Sequence, residues 1–158
     1  MNTFEVIGGK SLNGEIVPQG AKNEALQVIS AVLLTPEKVT ISNIPDIVDV
    51  NRLIGLLADL GVEVEKITPD TYTFKADNID LDYISSEKFI RQSSSLRGSV
   101  MLIGPLLTRF GNAYLPKPGG DKIGRRRVDT HILGFQKLGA QFEYNYGNNI
   151  FKIYADRL

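Results

Sequence analysis

Apolar residues recur at two spacings along this chain, and the switches between the two mark out its elements. Phe4-Glu5-Val6-Ile7 and Glu15-Ile16-Val17 read as short strands on either side of the turn residues Asn13-Gly14. Over residues 22–34 the period lengthens, and Ala25, Leu26, Ile29, Val32 and Leu33 share one broad helix face. Val39-Thr40-Ile41 predicts a strand that Asn43 and Pro45 end. Asp46 is placed to cap a second helix, in which Ile47, Val50, Ile54 and Leu57 keep helical spacing until Gly61 stops it. Residues 62–65 and 72–75 then read as a strand pair.

The second half repeats that order. Val100, Ile103, Leu107 and Phe110 mark a helix in which Pro105 predicts a local distortion. Ala113-Tyr114-Leu115 follows as a strand. Beyond a Pro/Gly-rich loop, Val128, Ile132, Phe135 and Leu138 line one face of a further helix that Gly139 caps, and strands close the pattern at 140–144 and 150–154. Ala58-Asp59-Leu60-Gly61-Val62-Glu63-Val64-Glu65 lies over Gln136-Lys137-Leu138-Gly139-Ala140-Gln141-Phe142-Glu143 at an offset of about 78 residues. Phe74-Lys75-Ala76-Asp77 lies likewise over Ile153-Tyr154-Ala155-Asp156. A chance match of helix-ending glycines would not carry element order and spacing with it. The pattern therefore predicts an α/β chain made of two α+β repeats, each a helix-strand-helix-strand-strand module, joined by a polar connection at 77–86.

Composition narrows what such a chain can do. Its 158 residues are enough for an ordinary core, and 42% hydrophobic with 23% charged residues is the balance of a globular protein. With 18 basic and 18 acidic side chains the net charge is zero, against a nucleic-acid binder that works by general electrostatics. Cysteine is absent and His131 is the single histidine, which removes disulfides, thiolate or multi-histidine metal sites and a cysteine nucleophile. Met1-Asn2-Thr3-Phe4-Glu5 lacks the basic start of a signal peptide, and the apolar run at 100–107 is too short to span a bilayer. A cytoplasmic, membrane-free location is the expectation.

Three stretches carry chemistry. Gly20-Ala21-Lys22-Asn23 stands at a helix start, where free amides and the helix dipole favour an anion and Lys22 adds a full charge; the same residues also read as a solvated lysine beside an amide cap. Ser93-Ser94-Ser95-Leu96-Arg97-Gly98-Ser99 puts N-cap serines and Arg97 before an apolar helix. In Pro118-Gly119-Gly120-Asp121-Lys122-Ile123-Gly124-Arg125-Arg126-Arg127-Val128-Asp129-Thr130-His131, glycines let backbone approach a ligand. Three arginines then stand before a helix, suited to bidentate phosphate recognition. A plain basic turn with Asp121 and Asp129 as counter-charges has the same composition. His131 reads as a packing or capping residue.

Together these motifs resemble the enolpyruvyl (carboxyvinyl) transferase family. The resembling residues are Gly20-Ala21-Lys22-Asn23, Leu96-Arg97-Gly98-Ser99 with Gly104-Pro105-Leu106, and Pro118-Gly119-Gly120-Asp121 leading into Ile123-Gly124, Arg126, Val128-Asp129 and His131. Ala21 and Asn23 stand where the shikimate-pathway branch is expected to show serines, which favours the branch acting on UDP-N-acetylglucosamine; the shikimate-pathway enzyme and a non-catalytic nucleotide-sugar binding module are the alternatives. The resemblance implies an inside-out α/β barrel fold with three units per domain, of which this chain would hold two. It assigns residues 1–21 to strands of the other domain, 22–86 to the first unit and connector, and 87–158 to the second. It implies an incomplete chain that lacks the C-terminal part of the same protein, is inactive alone, and exposes strand edges that invite self-association.

The resemblance further implies transfer of enolpyruvyl from phosphoenolpyruvate to the 3-hydroxyl of UDP-N-acetylglucosamine, the first committed step of peptidoglycan synthesis, without cofactor or metal. Lys22 and Arg126 would hold phosphoenolpyruvate, while Asn23, Arg97, Arg126, Arg127, Val128, Asp129 and Thr130 would orient the nucleotide sugar. Asp121 occupies the place where the family usually has a cysteine proposed as proton donor. A carboxyl of pKa about 3.9 is ionised at neutral pH and donates only if burial or a like charge raises it, whereas nearby arginines act the other way. Arg127 stands where proline is common and adds a charge beside the nucleotide contacts.

Overall fold

The computed structural model describes residues 3–116, 128–147 and 150–156. The first regular element is α1 (Lys22–Ala31), tightened at its end into a 3₁₀ turn over Val32–Leu34. There follow β1 (Lys38–Ile41), α2 (Val48–Asp59), β2 (Glu63–Thr68) and β3 (Thr71–Lys75). After a 3₁₀ turn at Tyr83–Ser85 come α3 (Glu87–Ser95), a 3₁₀ segment at Arg97–Leu102, α4 (Ile103–Phe110), β4 (Asn112–Pro116), α5 (Asp129–Lys137), β5 (Gln141–Asn145) and β6 (Ile150–Tyr154).

Both sheets are three-stranded and antiparallel, and they have the same plan: β1-β3-β2 and β4-β6-β5. Val39, Phe74 and Val64 align across the first as Ala113, Ile153 and Phe142 do across the second. The helix-to-strand turns are identical as well. Gly61 has φ +103° and Gly139 φ +99°. Val62 N–H donates to Leu57 O (3.0 Å) and Gly61 N–H to Ala58 O (3.1 Å); Ala140 and Gly139 make the same bonds to Phe135 O (2.9 Å) and Gln136 O (3.0 Å). This is the paired closure in which a left-handed glycine satisfies the last carbonyls of a helix. The duplication seen as a sequence offset is a duplication of hydrogen bonds.

One core serves both units. Ile29, Leu33, Leu53, Leu57, Leu60 and Phe74 of the first are continuous with Phe89, Leu102, Ile103, Leu106, Leu115 and Ile153 of the second. Arg109 ties them at the margin, its Nη1 donating to Leu33 O (3.1 Å) and Ala76 O (2.5 Å). The units are not equally covered. α2 buries Val50, Leu53, Leu56 and Leu57, whereas α5 buries no residue. Leu60 is 0% exposed and its counterpart Leu138 is 61% exposed.

Three local expectations are corrected. Residues 4–7 and 15–17 form no strand; a strand exists by cross-strand hydrogen bonds, and Phe4, Val6, Ile7, Ile16 and Val17 stand in solvent without a pairing partner. Asp46 is not the cap of α2: the cap position is Ile47, and Asp46 Oδ1 accepts instead from Asn51 Nδ2 at 2.7 Å. Ser93, Ser94 and Ser95 do not cap the apolar helix. They close α3, donating back to Phe89 O, Ile90 O and Gln92 O at 2.6, 2.5 and 2.7 Å, while Ser86 caps that helix through Phe89 N–H. Pro105 does not end its helix: it falls in the first turn of α4, where a missing N–H leaves no intrahelical bond unmade, and the run changes from 3₁₀ to α just before it. Among the described residues no helix is long and apolar enough to cross a membrane.

Candidate functional site

Three helix starts converge on one cleft of about 300 Å³. α1 contributes Lys22, Asn23, Leu26 and Gln27; α2 contributes Asp49 and Arg52; the end of α3 and the 3₁₀ segment contribute Ser95, Arg97, Gly98, Val100 and Met101; Val128 and His131 come from the start of α5. The cap positions of α1, α2 and α5 are Ala21, Ile47 and Val128, and none of the three helices has a side-chain cap bond. Their first-turn amides therefore keep donors that a capping serine or aspartate would have occupied. With the helix dipoles added, the cleft is built for an anion.

The local sequence explains how α1 is aimed. A Cβ on residue 20 would stand 2.0 Å from Asn43 O, so only glycine lets the chain press onto the turn after β1 before it enters the helix. That approach brings the first residue of α1 beside the first turn of α2. Lys22 Nζ meets Asp49 Oδ2 at 3.0 Å, with the side chains 46% and 36% exposed. Leu26 floors the cleft. Against Lys22, Arg52 and Arg97 the described lining sets one carboxylate, so the cleft is net positive.

The fold thus brings Lys22, Asn23, Arg97 and Val128 together from positions scattered over more than half of the chain. Asp129 and Thr130 lie in the first turn of α5 beside this group without lining the cleft. Asp121, Arg126 and Arg127 lie outside the described residues. Sequence reasoning did not single out Gln27, Asp49, Arg52 or Met101 as site residues, and it read His131, which lines the cleft, as a packing residue. Asp49 and Arg52 sit on the polar face of an amphipathic helix, and their only sequence signal is a spacing of three, shared by ordinary solvated pairs. Among the described residues no three His, Asp or Glu side chains gather to hold a metal.

Comparison with known proteins gives this arrangement its relatives. The family profile for EPSP synthase (3-phosphoshikimate 1-carboxyvinyltransferase) matches residues 6–157. The chain is 61% identical over its whole length to the UDP-N-acetylglucosamine 1-carboxyvinyltransferase of Bacteroides thetaiotaomicron and 58% identical to that of Porphyromonas gingivalis, covering 36% of each. The chain spans about a third of the length of the curated relatives it matches. Among solved structures, the enolpyruvyl transferase NikO from Streptomyces tendae superposes with a TM-score of 0.73 at 24% identity, over 96% of this chain and 32% of that one. EPSP synthase from Acinetobacter baumannii gives 0.58 at 13% identity, over 90% and 32%. These two likenesses establish the fold, an α/β arrangement of the enolpyruvyl transferase type. Matched by the family profile over nearly all of its residues, the chain belongs to the EPSP synthase (3-phosphoshikimate 1-carboxyvinyltransferase) family.

Proposed function

We propose that this chain supplies one wall of the active site of a carboxyvinyltransferase that moves enolpyruvyl from phosphoenolpyruvate to UDP-N-acetylglucosamine. The observation that carries the reading is identity of 58–61% across all 158 residues with relatives named for that reaction. The cleft is its physical counterpart: uncapped helix starts with Lys22, Arg52 and Arg97 favour polyanionic substrates. In the reaction a proton adds to the terminal alkene carbon of phosphoenolpyruvate, the sugar 3-hydroxyl attacks the neighbouring cationic carbon and gives up its proton, and loss of phosphate from that carbon with a proton from the new methyl group restores the double bond. Lys22, with Arg126, stabilises the phosphate as charge shifts onto it. Asn23, Arg97, Arg126, Arg127, Val128, Asp129 and Thr130 orient the nucleotide sugar, and Asp121 stands in the proton-donor position.

The same reading places the parent protein in the cytoplasm at the first committed step of peptidoglycan synthesis, hence in cell-wall biogenesis, cell shape, division and the cell cycle. It treats residues 1–21 as belonging with a second domain, 22–86 and 87–158 as two units of the first, and the isolated chain as inactive. Closure of a second domain over the cleft would exclude water and complete the site. Exposed Phe4, Val6, Ile16 and Val17 then favour self-association of the isolated chain.

The test is a titration of labelled chain with UDP-N-acetylglucosamine, with shikimate 3-phosphate as control. Saturable shifts at Lys22, Asn23, Arg97 and residues 128–130 with the sugar nucleotide alone are expected, with no phosphate release when both substrates are present. Response to shikimate 3-phosphate alone would transfer the assignment to the shikimate-pathway branch.

A further inference from the structure

The cleft contains a cation that none of the three sequence motifs includes. Arg52 lies three residues after Asp49 on α2, so the two share a helix face, and both line the cleft. Their situations differ. Asp49 is committed to Lys22 at 3.0 Å, whereas Arg52 is exposed and has no ion-pair or hydrogen-bond partner among the described residues. Lys22 and Arg97 line the same cleft. Lys22, Arg52 and Arg97 bring three positive charges to the lining of the cleft, and a polyanion entering there is attracted by them. Because Asp49 already offsets Lys22, an incoming anion meets uncompensated positive charge at Arg52. A guanidinium also offers a planar pair of donors matched to two oxygens of one phosphate, which an ammonium does not.

We propose that Arg52 is a substrate-binding residue of this site, holding a phosphate group by a bidentate contact from the second turn of α2. The inference rests on the anion-site reading above. Two substrates present the chemistry, the phosphate of phosphoenolpyruvate and the diphosphate of the sugar nucleotide, and they are titrated separately.

The experiment follows the arginine Nε–Hε signals of the labelled chain during titration with phosphoenolpyruvate, with UDP-N-acetylglucosamine, and with uridine and sodium chloride as phosphate-free controls. The Arg52 signal is expected to shift saturably with at least one phosphate ligand and with neither control; the ligand that moves it identifies the group held. Arg52→Gln is expected to weaken that ligand about tenfold, and Arg52→Lys to recover only part of the loss, with unchanged melting temperature since the side chain is exposed. If Arg97 and the Lys22 and Asn23 amides respond while Arg52 stays silent and Arg52→Gln binds as wild type, the assignment of Arg52 fails and the site reading survives. Silence of every signal at millimolar ligand overturns both, and a shift equalled by chloride overturns the assignment.

Discussion

At the scale of single residues, the best-defined polar cluster outside the cleft joins α2 to α3. Asp59 Oδ2 accepts from Gln92 Nε2 at 2.8 Å and Oδ1 pairs with Lys88 at 2.9 Å, while the Tyr83 hydroxyl donates to Gln92 Oε1 at 2.5 Å. The Gln92 bond first and Lys88 next hold the Asp59 carboxyl below its ordinary 3.8, and burial first and Asp59 second push the Tyr83 hydroxyl up to about 12. A lowered carboxyl contributes stability that is complete above its unfolded value and is lost as pH falls from there through the folded one. Asp59→Asn should therefore flatten the acid limb of stability below pH 4, read by thermal unfolding from pH 6 to 2; an unchanged limb would dismiss the cluster as a stabilising contact. The raised tyrosine acts at the other end, losing its contribution as pH rises through 10 to 12. Gly61 is a second residue-scale determinant: alanine there would need φ +103° and place Cβ 2.3 Å from Asn78 O. Gly61→Ala should cost about 3 kcal/mol or more in urea unfolding. A third expectation concerns reactivity. With no cysteine in the chain, thiol-alkylating epoxides such as fosfomycin should leave its mass unchanged, and an adduct on Asp121 would contradict this.

Elements show how identical local rules acquire unequal worth. Leu60 and Leu138 precede the same left-handed glycine in the same hydrogen-bonded turn, yet one is sealed in the core and the other is largely in water. Leu60→Ala should cost about 2–5 kcal/mol and Leu138→Ala within about 0.5 kcal/mol in this chain, by equilibrium urea unfolding. Equal losses would mean that the face of α5 is covered in solution. The periodicity of residues 128–138 predicted that helix correctly from its apolar positions, but periodicity reports which face is apolar and not what lies against it. α3 illustrates the converse. It was invisible because Phe89 and Ile90 are its only large apolar residues and its serines read as a cap; its stability comes from burying Phe89 and from the Asp59 cluster. The 3₁₀ segment at Arg97–Leu102, expected as the start of a longer helix, turns the chain so that Arg97 and Gly98 line the cleft.

For the whole molecule, the N-terminal segment and the rest of the chain are energetically separate. Residues 3–19 are exposed throughout, so they contribute little apolar burial. Removing residues 1–17 should leave the melting temperature nearly unchanged while abolishing any concentration-dependent association in sedimentation velocity. A large loss of stability would show that the segment packs in solution, and persistent association would move the sticky surface elsewhere, with Leu133 and Leu138 of α5 the next candidates.

Much of the fold was legible because it rests on local chemistry. Apolar period, helix-stopping glycines and the offset near 78 residues each act within a few residues of chain, so they located α1, α2, α4, α5 and all six strands and exposed the duplication. The candidate site was legible only in part. Lys22, Asn23 and Arg97 could be named from helix-start chemistry, and their family resemblance supplied roles for them. Asp49 and Arg52 could not, since a charge on a polar helix face acquires meaning only from what lies opposite. Lys22 and Asp49 are 27 residues apart in sequence and 3.0 Å apart in space. Which helix starts share a cleft, which cation is offset and which leucine is covered are consequences of long-range packing, because burial and electrostatic pairing depend on distances that the order of residues does not contain.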